Sequence, residues 1–204
     1  MEQVQTGIGN ADFASVNNLN KLEVRSISED IQKLHARGGL QFNIVTSKLN
    51  IDDADENAVL YFKNNEEEDF IITGYGINLG TSTNGTGGEW ELKSVRDPTG
   101  GTLVSAGTDI TPVNFNAGSA KTLNATVKEM ASANQTLTGG TTPWLYTINT
   151  GTGRTFISTD ALIIKQGTAI GFTFQAQPSN TSQNIVVFFS GYRNSLINTD
   201  VVKA

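Results

Sequence analysis

The stretch that decides the fold is Leu162–Tyr192, LIIKQGTAIGFTFQAQPSNTSQNIVVFFSGY. Ile170, Phe172 and Phe174 alternate with Gly171, Thr173 and Gln175, the two-residue period of a strand. Pro178-Ser179-Asn180-Thr181-Ser182 supplies turn chemistry, so the stretch reads as two strands joined by a polar turn. The second run, Ile185-Val186-Val187-Phe188-Phe189, is apolar at every position. Such a strand is buried on both faces. One face fills a core, and the other calls for a neighbour, with a second subunit as the expected one. Val186 and Phe188 are the candidate subunit interface.

The rest of the chain repeats the pattern. Leu40–Val45, Ala58–Phe62, Phe70–Leu79, Trp144–Ile148 and Arg154–Ile164 all read as strands, and Glu89-Trp90-Glu91-Leu92-Lys93 alternates strictly. Thr102–Val104 reads as a short strand, and Thr122–Met130 as one strand or a short helix. Gly38-Gly39 is a hairpin signal, and Gly80–Gly88 and Ala131–Thr142 read as flexible loops, the first within a hairpin. Leu22–Gly38 is ambiguous: Ile27, Ile31 and Leu34 have helical spacing with Ser28 as a possible N-cap, while Leu22 and Val24 alternate. Strand or irregular structure leading into a hairpin is favoured there. Eight to ten short strands with turns between them predict an all-β, two-sheet β-sandwich of jelly-roll type over 22–204. Residues 1–21 read as an extended N-terminal arm.

At 204 residues the chain suffices for one sandwich with a sizeable core. Charged residues make up only 17%, and the polar load is Thr, Asn, Ser and Gly, the residues of turns and neutral strand faces. With a pI near 4.8 and no basic run, nothing neutralises phosphates, so no direct nucleic-acid partner is expected. No 18-residue apolar segment predicts a membrane span, and MEQVQTGIGNADF does not read as a secretory signal. The absence of cysteine excludes disulfides and zinc-thiolate sites, and fits synthesis in a reducing cytoplasm.

Candidate chemistry is thin. His35 is the sole histidine, so it builds neither a metal cluster nor a catalytic triad alone, and a structural role is expected. Asp52, Asp53, Asp55 and Glu56 lack the glycine and terminal glutamate of a calcium loop, and Glu66–Asp69 reads as a solvated acidic loop. Gly74-Tyr-Gly-Ile-Asn-Leu-Gly80 has the wrong last spacing for a dinucleotide fingerprint. Glu89 and Glu91 read as solvent-facing charges rather than a glycosidase pair. Trp90, Trp144, Tyr146 and Tyr192 read as core or interface aromatics in preference to a sugar platform. No enzyme activity, cofactor or metal is expected.

Three pieces taken in order carry a resemblance: His35-Ala-Arg-Gly38 followed by a strand with Phe42; Thr111-Pro-Val-Asn-Phe-Asn-Ala-Gly-Ser119; and the terminal hairpin ending Ser190-Gly191-Tyr192. Over roughly residues 22–192 the chain resembles a group of tailed-bacteriophage virion proteins with a jelly-roll domain. The resemblance implies a structural virion role, made in the host cytoplasm and carried in the capsid. The form expected is a head decoration or auxiliary subunit, a homotrimer that also contacts the major capsid protein. The alternative is the receptor- or carbohydrate-binding head of a fibre or spike, with the loops at 80–88 and 131–142 as its recognition surface.

Overall fold

The two-residue alternation along the chain becomes two stacked antiparallel sheets. The computed structural model describes residues 4–6, 11–16, 22–27, 31–51, 55–82, 89–149, 153–177 and 183–194. In chain order the elements are β1 (Val4–Thr6), β2 (Ala11–Val16), β3 (Leu22–Ile27), α1 (Ile31–Arg37), β4 (Gln41–Val45), β5 (Leu49–Ile51), β6 (Asn57–Asn64), β7 (Phe70–Ser82) and β8 (Glu89–Arg96). There follow α2 (Thr102–Ala106), β9 (Thr108–Asp109), β10 (Val113–Asn114), β11 (Ala125–Glu129), β12 (Thr141–Asn149), β13 (Arg154–Ile164), β14 (Ala169–Gln177) and β15 (Gln183–Arg193).

β1, β2 and β3 pair among themselves, so the boundary expected at 21/22 falls between two strands of one small sheet. The sandwich proper has a first sheet in the order β10-β4-β15-β7-β13, with β5 also on β15, and a second sheet in the order β12-β8-β14-β6-β11-β9. Its pairing is nested. With β5 and the short strands β9–β11 set aside, β4 pairs with β15, β6 with β14, β7 with β13 and β8 with β12. The outermost strands of the chain meet first, and each inner pair repeats the rule.

Nesting corrects two of the sequence expectations. β14 and β15 are not a hairpin: they lie in different sheets, and the turn expected at Pro178–Ser182 lies outside the described residues. β7 and β8 are likewise in different sheets, so the 80–88 loop is not within a hairpin either, with residues 83–88 outside the described residues. The physical reason is burial. A hairpin would set the apolar faces of β14 and β15 side by side, whereas placement in two sheets lets them face each other, with Phe172 and Phe189 at 6.1 Å between ring centroids. Phe189 also meets Phe62 edge-on at 5.2 Å, and all three rings are fully buried. Each such side chain contributes about 1.5–3 kcal/mol by leaving water.

The ambiguous stretch 22–38 splits into β3 and α1, with Ser28 outside the described residues. Gly38-Gly39 is not a hairpin turn but the stop of α1. Gly39 takes φ +68°, its N–H donates to the Ala36 carbonyl at 3.0 Å, and the Leu40 N–H donates to the His35 carbonyl at 2.8 Å. That pair of bonds is the Schellman ending of a helix. Thr102–Val104, expected as a strand, is α2, because Leu103 is drawn under the outer face of the second sheet against Ala58, Tyr61 and Ala169. The 131–142 loop is tied down, with the Ala58 N–H donating to the Gln135 carbonyl at 2.7 Å and Thr138 and Gly100 bonded to each other.

Candidate interaction surface

The outer face of the first sheet is built strand by strand from the register. Along β15, Ile185, Val187 and Phe189 point into the core and are essentially inaccessible, while Val186 and Phe188 point outward and are half-buried. Phe188 lies opposite Val45 on β4 and Gly76 on β7, and Gly76 lies opposite Phe156 on β13. A row Val45–Phe188–Gly76–Phe156 therefore crosses the sheet. Beside it run Val186–Asn78–Arg154 on one side and Val113–Asn43–Ser190–Gly74–Ser158 on the other.

The glycines in these rows form a floor. The Phe156 and Phe188 rings stack at 6.2 Å between centroids and 13° from parallel. A methyl group on Gly74 would run into the Phe156 ring, and one on Gly76 would come within 2.8 Å of the Phe188 ring. Arg154 sits over the Phe188 ring at 5.2 Å, a cation–π contact. The glycine pattern that superficially resembles a dinucleotide fingerprint thus lets two aromatic rings lie flat on a strand.

This face stays apolar at its margins. Val45, Val113, Phe115, Phe156 and Ile163 are 43%, 65%, 53%, 53% and 43% exposed, and all five belong to it by register. Leu145, on the second sheet, is the one other large apolar side chain so exposed among the described residues. The opposite outer face, which carries Leu145 beside Lys93, is otherwise polar around Lys93. There Lys93 bonds Glu56 at 2.9 Å and lies 3.6 Å from Glu91, and the Thr173 hydroxyl donates to Glu56. Burial pushes the Glu56 carboxyl up, but the Thr173 and Lys93 bonds and the Lys93 charge outweigh it and hold the carboxyl below its usual value.

The three sequence pieces that carry the resemblance converge at one corner of this sheet. The Asn116 amide donates to the Arg37 carbonyl at 2.9 Å, the Asn114 amide to Gly39 at 2.9 Å, and the Lys121 ammonium to Gly38 at 3.0 Å. The orphan carbonyls at the end of α1 are thereby satisfied by the 111–121 segment. His35, 1% exposed, lies 4.1 Å from the Tyr192 ring by centroids, and the Arg193 N–H donates to the Leu40 carbonyl at 3.0 Å. His35 joins α1 to the last strand by its ring.

Other candidates are dispersed. Trp90, Trp144 and Tyr146 share the inner face of β8 and β12, while Tyr192 lies on the other sheet beneath α1, so no four-ring platform forms. Glu66 pairs with Arg193 at 3.1 Å and accepts the Asn124 N–H at 2.7 Å. Asp52 and Asp53 lie outside the described residues. Among the described residues no three His, Asp or Glu side chains gather as metal ligands, and no helix is long and apolar enough to cross a membrane.

No protein-family model, curated protein or solved structure matches this chain.

Sequence reasoning named Val186 and Phe188 through the apolar run, and did not single out Val45, Val113, Phe115, Phe156 and Ile163 on the same face. The available signal was the Gly74-x-Gly76 spacing within a strand, which marks a close approach of bulky neighbours.

Proposed function

We propose that the chain is a non-enzymatic structural protein of a tailed-phage virion, a jelly-roll subunit that decorates the head. It associates with copies of itself, in a cyclic assembly such as a trimer, and clamps the major capsid protein. The observation that carries this reading is the gathering of five exposed apolar side chains on one sheet face. Interfaces between copies are the usual destination of such a face. The nested strand pairing supports the jelly-roll part, since a long hairpin rolled on itself pairs first with last in just this order. The polar opposite face, with its Glu56–Lys93–Glu91 ion pairs, suits the side turned to solvent.

The test is immunolabelling of intact particles of the phage that encodes the chain, with antibody to the purified protein. Label over the head surface is the expected result. Label confined to the tail tip would replace this reading with the receptor-binding one, and particles without label would overturn the virion role.

A further inference from the structure

The four outer edges of the two sheets differ. β9 and β10 are two residues each, and β12 carries Pro143 and a register shift between Thr141 and Trp144. Short strands, proline and bulges are the ways native sheets blunt an edge. β13 is 11 residues long, and among the described residues only β7 pairs with it. Its register is unbroken from Arg154 to Ser158 and shifts before Leu162. The regular stretch is therefore centred on Phe156.

The direction of the backbone groups follows from one bond. The Leu79 N–H donates to the Gly153 carbonyl at 3.1 Å, which turns residue 153, and by alternation 155 and 157, toward β7. The N–H and C=O groups of Arg154, Phe156 and Ser158 consequently face the open edge. On the same strand the Phe156 side chain is 53% exposed, and the apolar row from Val45 through Phe188 ends at it.

We propose that β13 pairs antiparallel with β13 of a second copy of this chain, about a two-fold axis at Phe156. The inference rests on the self-association reading above, names the edge that performs it, and makes the basic unit a two-fold pair in place of the trimer. In this register Phe156 lies opposite its own counterpart, and Arg154 lies opposite Ser158 of the other copy, so no like charges face each other. The pairing satisfies the outward backbone groups of both strands. It also carries the apolar row without a break from Val45 of one copy to Val45 of the other. A second copy is the partner that offers the same row at the same height, which is the self-complementarity of a two-fold contact.

The chain contains no cysteine, so introduced thiols report on this pairing without background. Residues opposed in such a ladder are about 5.5 Å apart at Cα, inside the span a disulfide bridges. Phe156→Cys is expected to cross-link under mild oxidation about tenfold or more faster than Leu145→Cys, which is 51% exposed on the second sheet. A second experiment leaves Phe156 in place. Arg154→Cys and Ser158→Cys chains are expected to cross-link when mixed and to remain uncross-linked alone. Cross-linking no faster than the Leu145→Cys control, together with no mixed product, would overturn the proposal. If the wild-type protein is then still oligomeric by light scattering, the edge assignment fails while self-association stands; a monomer removes both.

Discussion

Phe156 and Phe188, on strands separated by β7, stack 6.2 Å apart because the strand between them presents Gly74 and Gly76. A strand interior ordinarily disfavours glycine, which loses more backbone entropy on folding than other residues. Here the absent side chains make room for two rings, and aromatic cover over a strand glycine is a known compensation.

Gly76→Ala should therefore destabilise the protein although alanine is the better strand residue. Its Cβ would meet the Thr155 carbonyl and approach Phe188 to 2.8 Å, and the overpacking should cost about 1–3 kcal/mol. Urea unfolding followed by tryptophan fluorescence measures it. An unchanged midpoint would mean that the rings do not rest on Gly76.

Neighbouring phenylalanines should behave differently. Phe189 is fully buried against Phe62, Phe70 and Phe172, and Phe189→Ala should cost about 3–5 kcal/mol. Phe188 is half-buried outside, and Phe188→Ala should cost about 1 kcal/mol in the same measurement. Equal losses would contradict the assignment of inner and outer faces.

The end of α1 depends on residues distant in the chain. Gly39→Ala forces a side chain into left-handed backbone, at about 1–2 kcal/mol, and also into Ser119. Asn114→Ala leaves the Gly39 and Lys121 carbonyls without the amide that serves both, at about 1–3 kcal/mol. Thermal unfolding of the two variants should show losses, and the double variant should lose less than their sum, since both act on one contact.

The Glu56 carboxyl gives a pH dependence whose sign is fixed. Its folded value lies below the usual one, so its contribution is present in full above the ordinary glutamate range and is lost as pH falls through the folded value. Lys93→Met removes the Lys93 bond and charge from what holds the carboxyl down, while its burial and the Thr173 bond remain. The stability gap between wild type and Lys93→Met should be widest near neutrality and close in acid, in urea titrations at a series of pH values. A gap that widens in acid would contradict the assignment.

Strands were legible because a half-buried strand writes its faces into the sequence at a period of two, as Trp90 and Leu92 against Glu91 and Lys93 show. What joins them was not. The turn chemistry at Pro178–Ser182 says that the chain reverses, but not whether the next strand stays in the same sheet; that is decided by which apolar faces meet across the core. Gly38-Gly39 was misread for a related reason. A left-handed glycine serves a hairpin and a helix stop alike, and the choice was made by Asn114 and Asn116, remote in sequence. At the candidate surface, the run Ile185–Phe189 points to Val186 and Phe188, whereas Phe156 joins them through the β7 register, signalled only by the Gly74-x-Gly76 spacing on the strand between.

The central claim is that the apolar outer face of the first sheet joins copies of this chain. Light scattering across a range of concentrations tests it most directly, on the wild type and on a Phe156→Lys variant, whose altered side chain lies on that face at the β13 edge and is exposed in a single copy. The account predicts a wild-type mass that is a whole-number multiple of 21.8 kDa, and a smaller assembly for the variant. A wild-type monomer at every concentration, or a variant with the wild-type mass, would contradict it.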